Sequence, residues 1–431
     1  MKKIITLTIL LLLLVSYGNQ YKVYALQKPP SVSADSAVVL DATTGEVLYS
    51  KNPDSAYPPA STTKIMTALL VLENTNLNSE VTVGKNPPNV DGTRVGLIEG
   101  EKLTVRDLLY GLLLASDNDC AEALAEYVGN GSMGKFVDMM NDRALELGAN
   151  HTHFVNPSGL FNKDHKTSAK DLALIMEKLS ANPEYSKIAT TLSYTIKPTN
   201  KSKASRTVWN ENRLVQKTSR YYYEGAIGGK TGYTIQSLHS YVASAVRGDH
   251  KLIVSLVHDK NKTFFPDSIA LFNYGFNNFK LEKLYSKGDL VTTYKDEKLF
   301  VPLKAESDFY YTKPIDSTSN PKVVLKNTNL NLKSFNKGDF IENANVLLNG
   351  KNIGTIKLAS GITHESKNLL SEKLDKTLNI NITYSILGMA IIFIGGIIFL
   401  IKKRAWLKDK LKTYNDIKVF SLSLLLILAC P

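Results

Sequence analysis

Two cysteines, Cys120 and Cys430, stand in 431 residues, so no disulfide framework holds this chain together. Cys120 falls in an apolar helical pattern and reads as a small buried hydrophobe rather than a nucleophile. Histidine is sparse too. The seven histidines do not cluster at metal-ligand spacing, and His151 and His153 stand two apart in an expected loop; no metal site and no cofactor is expected. The net charge is +12, yet no basic stripe interleaved with aromatics appears in the part expected to be exported, which argues against a nucleic-acid partner. Part of the excess gathers late, at Lys402, Lys403, Arg404, Lys408, Lys410 and Lys412, a cluster that suits anionic lipid.

What is present is ordinary globular composition, 43% hydrophobic and 21% charged, in a chain long enough for two domains with appendages. Lys2-Lys3, an apolar run over 4–15 and the small residues of Val23-Tyr24-Ala25 predict a signal peptide over 1–25. An uncleaved anchor is the alternative, and the short apolar run disfavours it. Residues 382–401 are almost uninterruptedly apolar and long enough to span a bilayer. The basic cluster behind them belongs on the cytoplasmic side. Expected is a cell-membrane protein with one C-terminal anchor and its bulk on the extracytoplasmic face. In the basic tail 402–431, the stretch 419–429 is apolar but short; it resembles a lipoprotein signal peptide at the wrong end and reads as a boundary artefact.

Residues 36–41 and 46–50 alternate as two strands joined by Ala42-Thr43-Thr44-Gly45. A helix follows Pro58-Pro59, with Ile65, Met66, Ala68, Leu69 and Leu72 on its buried face. Residues 81–101 read as loop. Helical patterns cover 104–115, 119–128, 136–147 and 168–179, the first two interrupted at Ser116-Asp117-Asn118. Two strong strands, 239–246 and 251–258, are joined by Arg247-Gly248-Asp249, a hairpin turn rather than an adhesion signal. Strands, helices, then strands close naturally if first and last share one antiparallel sheet. The predicted fold is α+β over 26–279, then a small all-β domain over 280–365, a polar linker over 366–381 and the transmembrane helix.

Ser61 and Lys64 are three apart, so on a helix they lie one turn from each other on one face. A serine hydroxyl needs a base to act as a nucleophile, and a lysine becomes one when burial lowers its pKa. Alone, the pair is an ordinary helix start. Ser116 could relay a proton from the helix break, and the Asn118 amide could bind Lys64 and donate to a substrate carbonyl; alone, Ser-Asp-Asn is an N-cap. In Lys230-Thr231-Gly232, the lysine supplies positive potential, the threonine can bind a carboxylate and the glycine admits a substrate backbone. The three motifs stand 55 residues apart (61 to 116) and then 114 (116 to 230). Together they are a strong signal.

With these motifs, the chain resembles the penicillin-recognising serine enzymes, and within them the low-molecular-weight D-alanyl-D-alanine carboxypeptidases. Further segments carry the likeness: Leu109-Tyr110-Gly111-Leu112-Leu113, Met140-Asn141 with Leu147-Gly148, Thr152-His153-Phe154-Val155-Asn156-Pro157, Tyr233-Thr234 and Tyr274-Gly275-Phe276. The resemblance spans about 32–280 and implies a β-lactamase/transpeptidase-like fold that removes the terminal D-alanine from peptidoglycan stem pentapeptides. It implies Ser61 as the acylated residue, Lys64 as its base, Ser116 as a proton carrier and Asn118 as support for Lys64 and substrate. It further implies Lys230 and Thr231 on the terminal carboxylate, and the N–H groups of Ser61 and Tyr233 as an oxyanion hole. β-Lactams would act as covalent inhibitors. No cofactor enters.

Two departures stand out. Phe264 occupies the place of a carboxylate-binding arginine common in the family, with Lys260 or Lys262 as possible substitutes, and Ser158 stands where some members have a histidine. One rival is a class A-like β-lactamase, which needs a Glu-x-x-Leu-Asn stretch absent between 150 and 228. The other is a non-catalytic, membrane-tethered cell-wall binding protein.

Overall fold

The structure is a computed structural model that describes residues 28–296, 299–326, 329–366 and 369–427. The expected signal peptide, and Cys430, lie outside the described residues.

Strands β1 (Ala34–Asp41) and β2 (Val47–Lys51) form the expected hairpin, Gly45 taking φ +71° in its turn. Late in the same unit come β7 (Ala226–Thr234), β8 (Leu238–Arg247) and β9 (His250–Asp259). The five make one antiparallel sheet in the order β2-β1-β9-β8-β7. The first strand thus pairs with the last, as the strand-helix-strand order predicts, and β7 is left as an edge. Arg247-Gly248-Asp249 is a hairpin turn, with Arg247 opposite His250.

Both faces of this sheet are buried, because successive side chains on a strand point to opposite sides. Val38, Leu40, Val242, Ile253 and Val257 belong to one apolar cluster. Ala37, Val39, Tyr241, Ala243, Leu252 and Val254 belong to another. The first is covered by helices α1 (Lys64–Asn74), α2 (Val105–Tyr110), α3 (Asn118–Val128), α4 (Met133–Glu146), α5 (Ala169–Ser180) and α6 (Pro183–Ala189). The second is covered by α7 (Phe264–Asn278), through Leu271, Phe272 and Phe276. Helix starts follow local chemistry. Thr104 and Asp107 form a reciprocal capping box at α2, and Ser132 and Ser168 accept from Lys135 N and Asp171 N.

Some elements had no counterpart in the expected pattern. A short hairpin, β3 (Glu80–Thr82) with β4 (Lys102–Thr104), brackets the loop read from 81–101. The pair β5 (Ser193–Ile196) and β6 (Arg206–Trp209) makes another hairpin, and α6 and α7 were not foreseen as helices. Between α2 and α3 the chain winds as a π-turn, Gly111–Ala115, which ends at Ser116 in the left-handed region (φ 66°, ψ 28°). A wider turn of this kind releases backbone groups from the helical ladder and is frequent at functional sites.

Beyond α7, the residues from Phe279 to Ser360 form strands β10 to β16, the last being Lys351–Ser360, and, among the described residues, one short 3-10 turn as their only helical element, in line with the expected β domain. Strand β10 (Phe279–Tyr285) pairs antiparallel with β13 (Phe309–Pro314), β11 (Leu290–Asp296) with β12 (Leu299–Ala305), and β14 (Lys322–Val324) with β15 (Phe340–Leu348). The fold divides into two compact units, one of residues up to Asp289 with Ala305–Val324 and Ala344–Ile356, the other of Leu290–Lys304, Leu325–Asn343 and the chain from Lys357 onward.

The expected linker over 366–381 is corrected. Helix α8 begins at Leu369 and runs to Ile427, through the polar stretch, the apolar span and the basic segment. The stretch 369–381 mixes leucines with lysine, glutamate and other polar residues and holds no proline or glycine, so nothing in its backbone chemistry stops a helix.

Candidate functional site

The nucleophile turn is built first. After Pro58-Pro59 the chain forms a 3-10 turn, Ala60–Thr63, and α1 begins only at Lys64. Ser61 therefore sits in the tight turn before the helix rather than within it. Ala60 takes φ +50°, a left-handed conformation that a residue with a Cβ adopts only when its surroundings impose it. Two glycines press on that turn. A Cβ on Gly159 would collide with the Ala60 carbonyl, and one on Gly232 would lie 2.8 Å from Pro59 O and 3.0 Å from the Ser61 and Thr62 nitrogens. The second contact brings strand β7 against the Ser61 amide.

Beneath the turn, His165 is 1% exposed. Its Nδ1 accepts from Val155 N–H at 3.1 Å, so Nε2 carries the proton and donates to Thr63 Oγ1 at 2.8 Å. Burial, then His153, pushes its pKa down to about 4.

Lys64 is wholly buried. Its Nζ lies 3.0 Å from Ser61 Oγ, 2.7 Å from Asn118 Oδ1 and 2.7 Å from the Ser158 carbonyl. Burial first, and the Lys230 charge second, hold its pKa well below the usual lysine range. Its place at the N-terminus of α1, where the helix dipole is positive, acts in the same sense. A neutral amine has two hydrogens, and Asn118 and Ser158 accept both. The remaining lone pair then faces the Ser61 hydroxyl, which donates to it.

Asn118 is fixed from three sides: its backbone N–H donates to Thr93 O at 2.7 Å, its Nδ2 to Asp91 O at 2.7 Å, and its Oδ1 accepts from Lys64. Ser116, 7% exposed, stands at the end of the π-turn; among the described residues no hydrogen bond joins its hydroxyl to Lys64 or Ser61. Asp117, between them, is 2% exposed and leaves Oδ2 without a partner. Burial, then the Asp119 charge, raises its pKa to about 7. Cys120 is buried and free. Burial and the two aspartates lift its thiol well above the usual range, so it is no nucleophile.

Across the site, Lys230 is 2% exposed and donates to Thr231 O at 3.0 Å. Burial lowers its pKa to about 8, while the Glu211 and Asp117 charges oppose that fall. Thr231 Oγ1 donates to Glu211 Oε2 at 3.3 Å. Tyr233 is 58% exposed and stacks on His239 with ring centres 4.5 Å apart. His239 in turn lies 5.7 Å from Phe264, which is buried among Tyr241 and Phe265. Phe264 thus serves the apolar core and offers no charge. Of its possible substitutes, Lys260 is paired with Asp35 at 2.9 Å. Lys262 is exposed, and its charge contributes to the lowered pKa of His239.

The structure brings Ser61, Lys64 and Asn118 into direct contact, with Gly232 against the Ser61 turn. Sequence reasoning missed the Ser158 carbonyl on Lys64, His165 beneath Thr63, and Glu211 on Thr231. The first acts through its backbone and leaves no side-chain signal.

Comparison with known proteins gives the family. The family profile described as D-alanyl-D-alanine carboxypeptidase, of the S11 peptidases, matches residues 23–261, and that of the C-terminal domain of penicillin-binding protein 5 matches 279–366. The D-alanyl-D-alanine carboxypeptidase DacB2 of Mycobacterium tuberculosis is 35% identical over 253 residues, covering 57% of this chain and 84% of that protein. DacF of Bacillus subtilis, also named a D-alanyl-D-alanine carboxypeptidase, is 32% identical over 273 residues, covering 62% and 68%. The crystal structure of penicillin-binding protein 5 from Haemophilus influenzae superposes with a TM-score of 0.67 at 28% identity, over 78% of this chain and 99% of that one. With a serine–lysine pair on the same turn and both domain profiles in order, the chain belongs to the D-alanyl-D-alanine carboxypeptidase family of serine peptidases.

Proposed function

We propose that this protein is a serine-type D-Ala-D-Ala carboxypeptidase that removes the terminal D-alanine from peptidoglycan stem pentapeptides. The observation that carries the reading is the wholly buried Lys64 amine 3.0 Å from Ser61 Oγ, with acceptors for both hydrogens of its neutral form.

In this reading the Ser61 hydroxyl gives its proton to Lys64 and attacks the carbonyl between the two D-alanines. The bond to the leaving D-alanine nitrogen breaks, and Ser116 passes a proton to that nitrogen. Water then hydrolyses the ester on Ser61. The N–H groups of Ser61 and Tyr233 hold the oxyanion, where one such donor typically contributes about 2.7–4 kcal/mol to lowering the barrier. β7 is an edge strand, so the peptide can lie along it through backbone hydrogen bonds. Lys230 and Thr231 receive the terminal carboxylate, Asn118 a substrate carbonyl. β-Lactams acylate the same serine.

The segment Thr377–Leu411 of α8 is long and apolar enough to cross a membrane. We place it as a C-terminal anchor, with the basic residues from Lys402 on the cytoplasmic side and the S11 domain on the outer face. The domain limits 26–279 and 280–365, and cleavage of a signal peptide after Ala25, belong to this proposal.

The test is release of free D-alanine from a pentapeptide ending in D-Ala-D-Ala. Wild type is expected to release it and Ser61→Ala is not; equal background from both would sink the reading. Labelling with a fluorescent penicillin separates it from a β-lactamase, since a long-lived adduct on Ser61 is expected and rapid turnover of the drug would contradict it.

A further inference from the structure

Glu211 has no role in the chemistry above, yet its backbone is held with unusual care. It lies between two buried asparagines. Asn210 donates through Nδ2 to the Ala189 and Thr191 carbonyls at 2.9 Å each, and its Oδ1 accepts from Asn212 N at 2.9 Å. Asn212 Oδ1 accepts from the buried Tyr241 hydroxyl at 2.6 Å. Glu211 N–H itself donates to the Leu114 carbonyl at 3.0 Å, in the π-turn that leads to Ser116. A fixed backbone thus carries an exposed carboxylate to the edge strand, where Oε2 accepts from Thr231 Oγ1 at 3.3 Å.

We propose that Glu211 is a resident carboxylate that occupies the substrate's carboxylate subsite and must be displaced when substrate binds. The inference rests on the assignment of Thr231 and Lys230 as the carboxylate receptors. A hydroxyl has one proton, so Thr231 cannot donate to Glu211 and to a substrate carboxylate at once. Both carboxylates are also drawn to the same Lys230 charge, and two of them side by side repel. With Phe264 where a bidentate arginine would add affinity, that competition falls on a weakened receptor. Glu211 therefore acts as a built-in competitor: its charge lowers the site's affinity for a substrate carboxylate, while a ligand lacking that charge is not opposed by it.

The experiment uses the full chain in detergent, carrying Ser61→Ala so that binding is read without turnover. Calorimetry compares it with the Ser61→Ala/Glu211→Gln double variant, using an N-acylated peptide ending in D-Ala-D-Ala and the same peptide as its C-terminal carboxamide. Removing one nearby like charge predicts about fivefold tighter binding of the carboxylate peptide at low salt, with the gain shrinking as salt screens the charge. The carboxamide peptide is expected to bind both proteins alike. Unchanged or weaker binding of the carboxylate peptide, or equal gains for both peptides, would overturn the proposal. D-alanine release by wild type, run alongside, separates the two failures: release without the affinity gain sinks only the role of Glu211, whereas absence of release sinks the enzymatic reading on which it rests.

Discussion

Lys64 Nζ and Ser61 Oγ are 3.0 Å apart, and the lysine has no exposure to solvent while the serine beside it lines an accessible turn. Burial and the Lys230 charge depress the Lys64 pKa, so the amine is neutral above that value and cationic below it. Acylation by penicillin should therefore rise with pH through the Lys64 titration. Lys230 titrates at about 8 and supplies positive charge only below that. kcat/KM for carboxylate-bearing substrates should fall again above about pH 8. A rate profile from mildly acid to alkaline pH checks both limbs, and a rate indifferent to acid would remove Lys64 as the base.

Asp117 predicts a stability effect of the opposite kind. Its folded pKa, about 7, lies above the ordinary 3.8. Folding therefore favours the protonated form, and the stabilisation present below pH 4 is lost as pH rises through about 7. Asp117→Asn keeps the shape and removes the titration. Its Tm relative to wild type should climb across that window, by about 3 °C or more at pH 8. A difference that stays constant from pH 4 to 8 would show the carboxyl to be ionised throughout.

Gly232→Ala should cost activity rather than the fold. The new Cβ would meet Pro59 O at 2.8 Å and the Ser61 and Thr62 nitrogens at 3.0 Å, all backbone atoms that cannot rotate aside. The Ser61 turn must then shift, and a misplacement of about 1 Å at the reacting centre costs roughly 100-fold in rate. Penicillin acylation with circular dichroism as a fold control measures it; near wild-type acylation would show the turn to be free to move.

The half-buried Arg206 and the buried Glu101 form an ion pair that sequence inspection did not find. Glu101 is fully buried and also accepts from Thr199 Oγ1 at 2.6 Å and Ile98 N at 3.0 Å. Arg206 reaches it through both Nη atoms. Arg206→Met leaves the carboxylate without its cation and should destabilise by about 3 kcal/mol, whereas the double change Arg206→Met/Glu101→Gln should recover most of that loss. Urea unfolding of the single and double variants decides it.

The anchor is tested by fractionation. A chain ending at residue 366 lacks α8 and should remain in the soluble fraction, while the full chain should need detergent. Recovery of both in the same fraction would count against Thr377–Leu411 as a span.

The sequence by itself determined the chemistry-bearing positions. Ser61 and Lys64 are near neighbours in the chain, and three-residue spacing puts them one turn apart once the segment winds helically. Asn118 was also legible, because Ser-Asp-Asn at a break in helical periodicity is a local pattern, and so was closure of the sheet from its strand order. Local patterns failed where the signal lay elsewhere. The hairpin of β5 and β6 is split by a polar stretch over 197–205, and α7 is apolar on too many sides, with Phe264, Phe265, Leu271, Phe272 and Phe276 all buried, to show a clean period. Only the tertiary structure decided what depresses the Lys64 pKa and what sits on Thr231. The Ser158 carbonyl reaches Lys64 from 94 residues away, and Glu211 reaches Thr231 from 20. The pKa of Lys64 is set by burial and by Lys230 across the site. Carbonyl direction, desolvation and distant charge belong to the packed chain and are written in no single stretch of it.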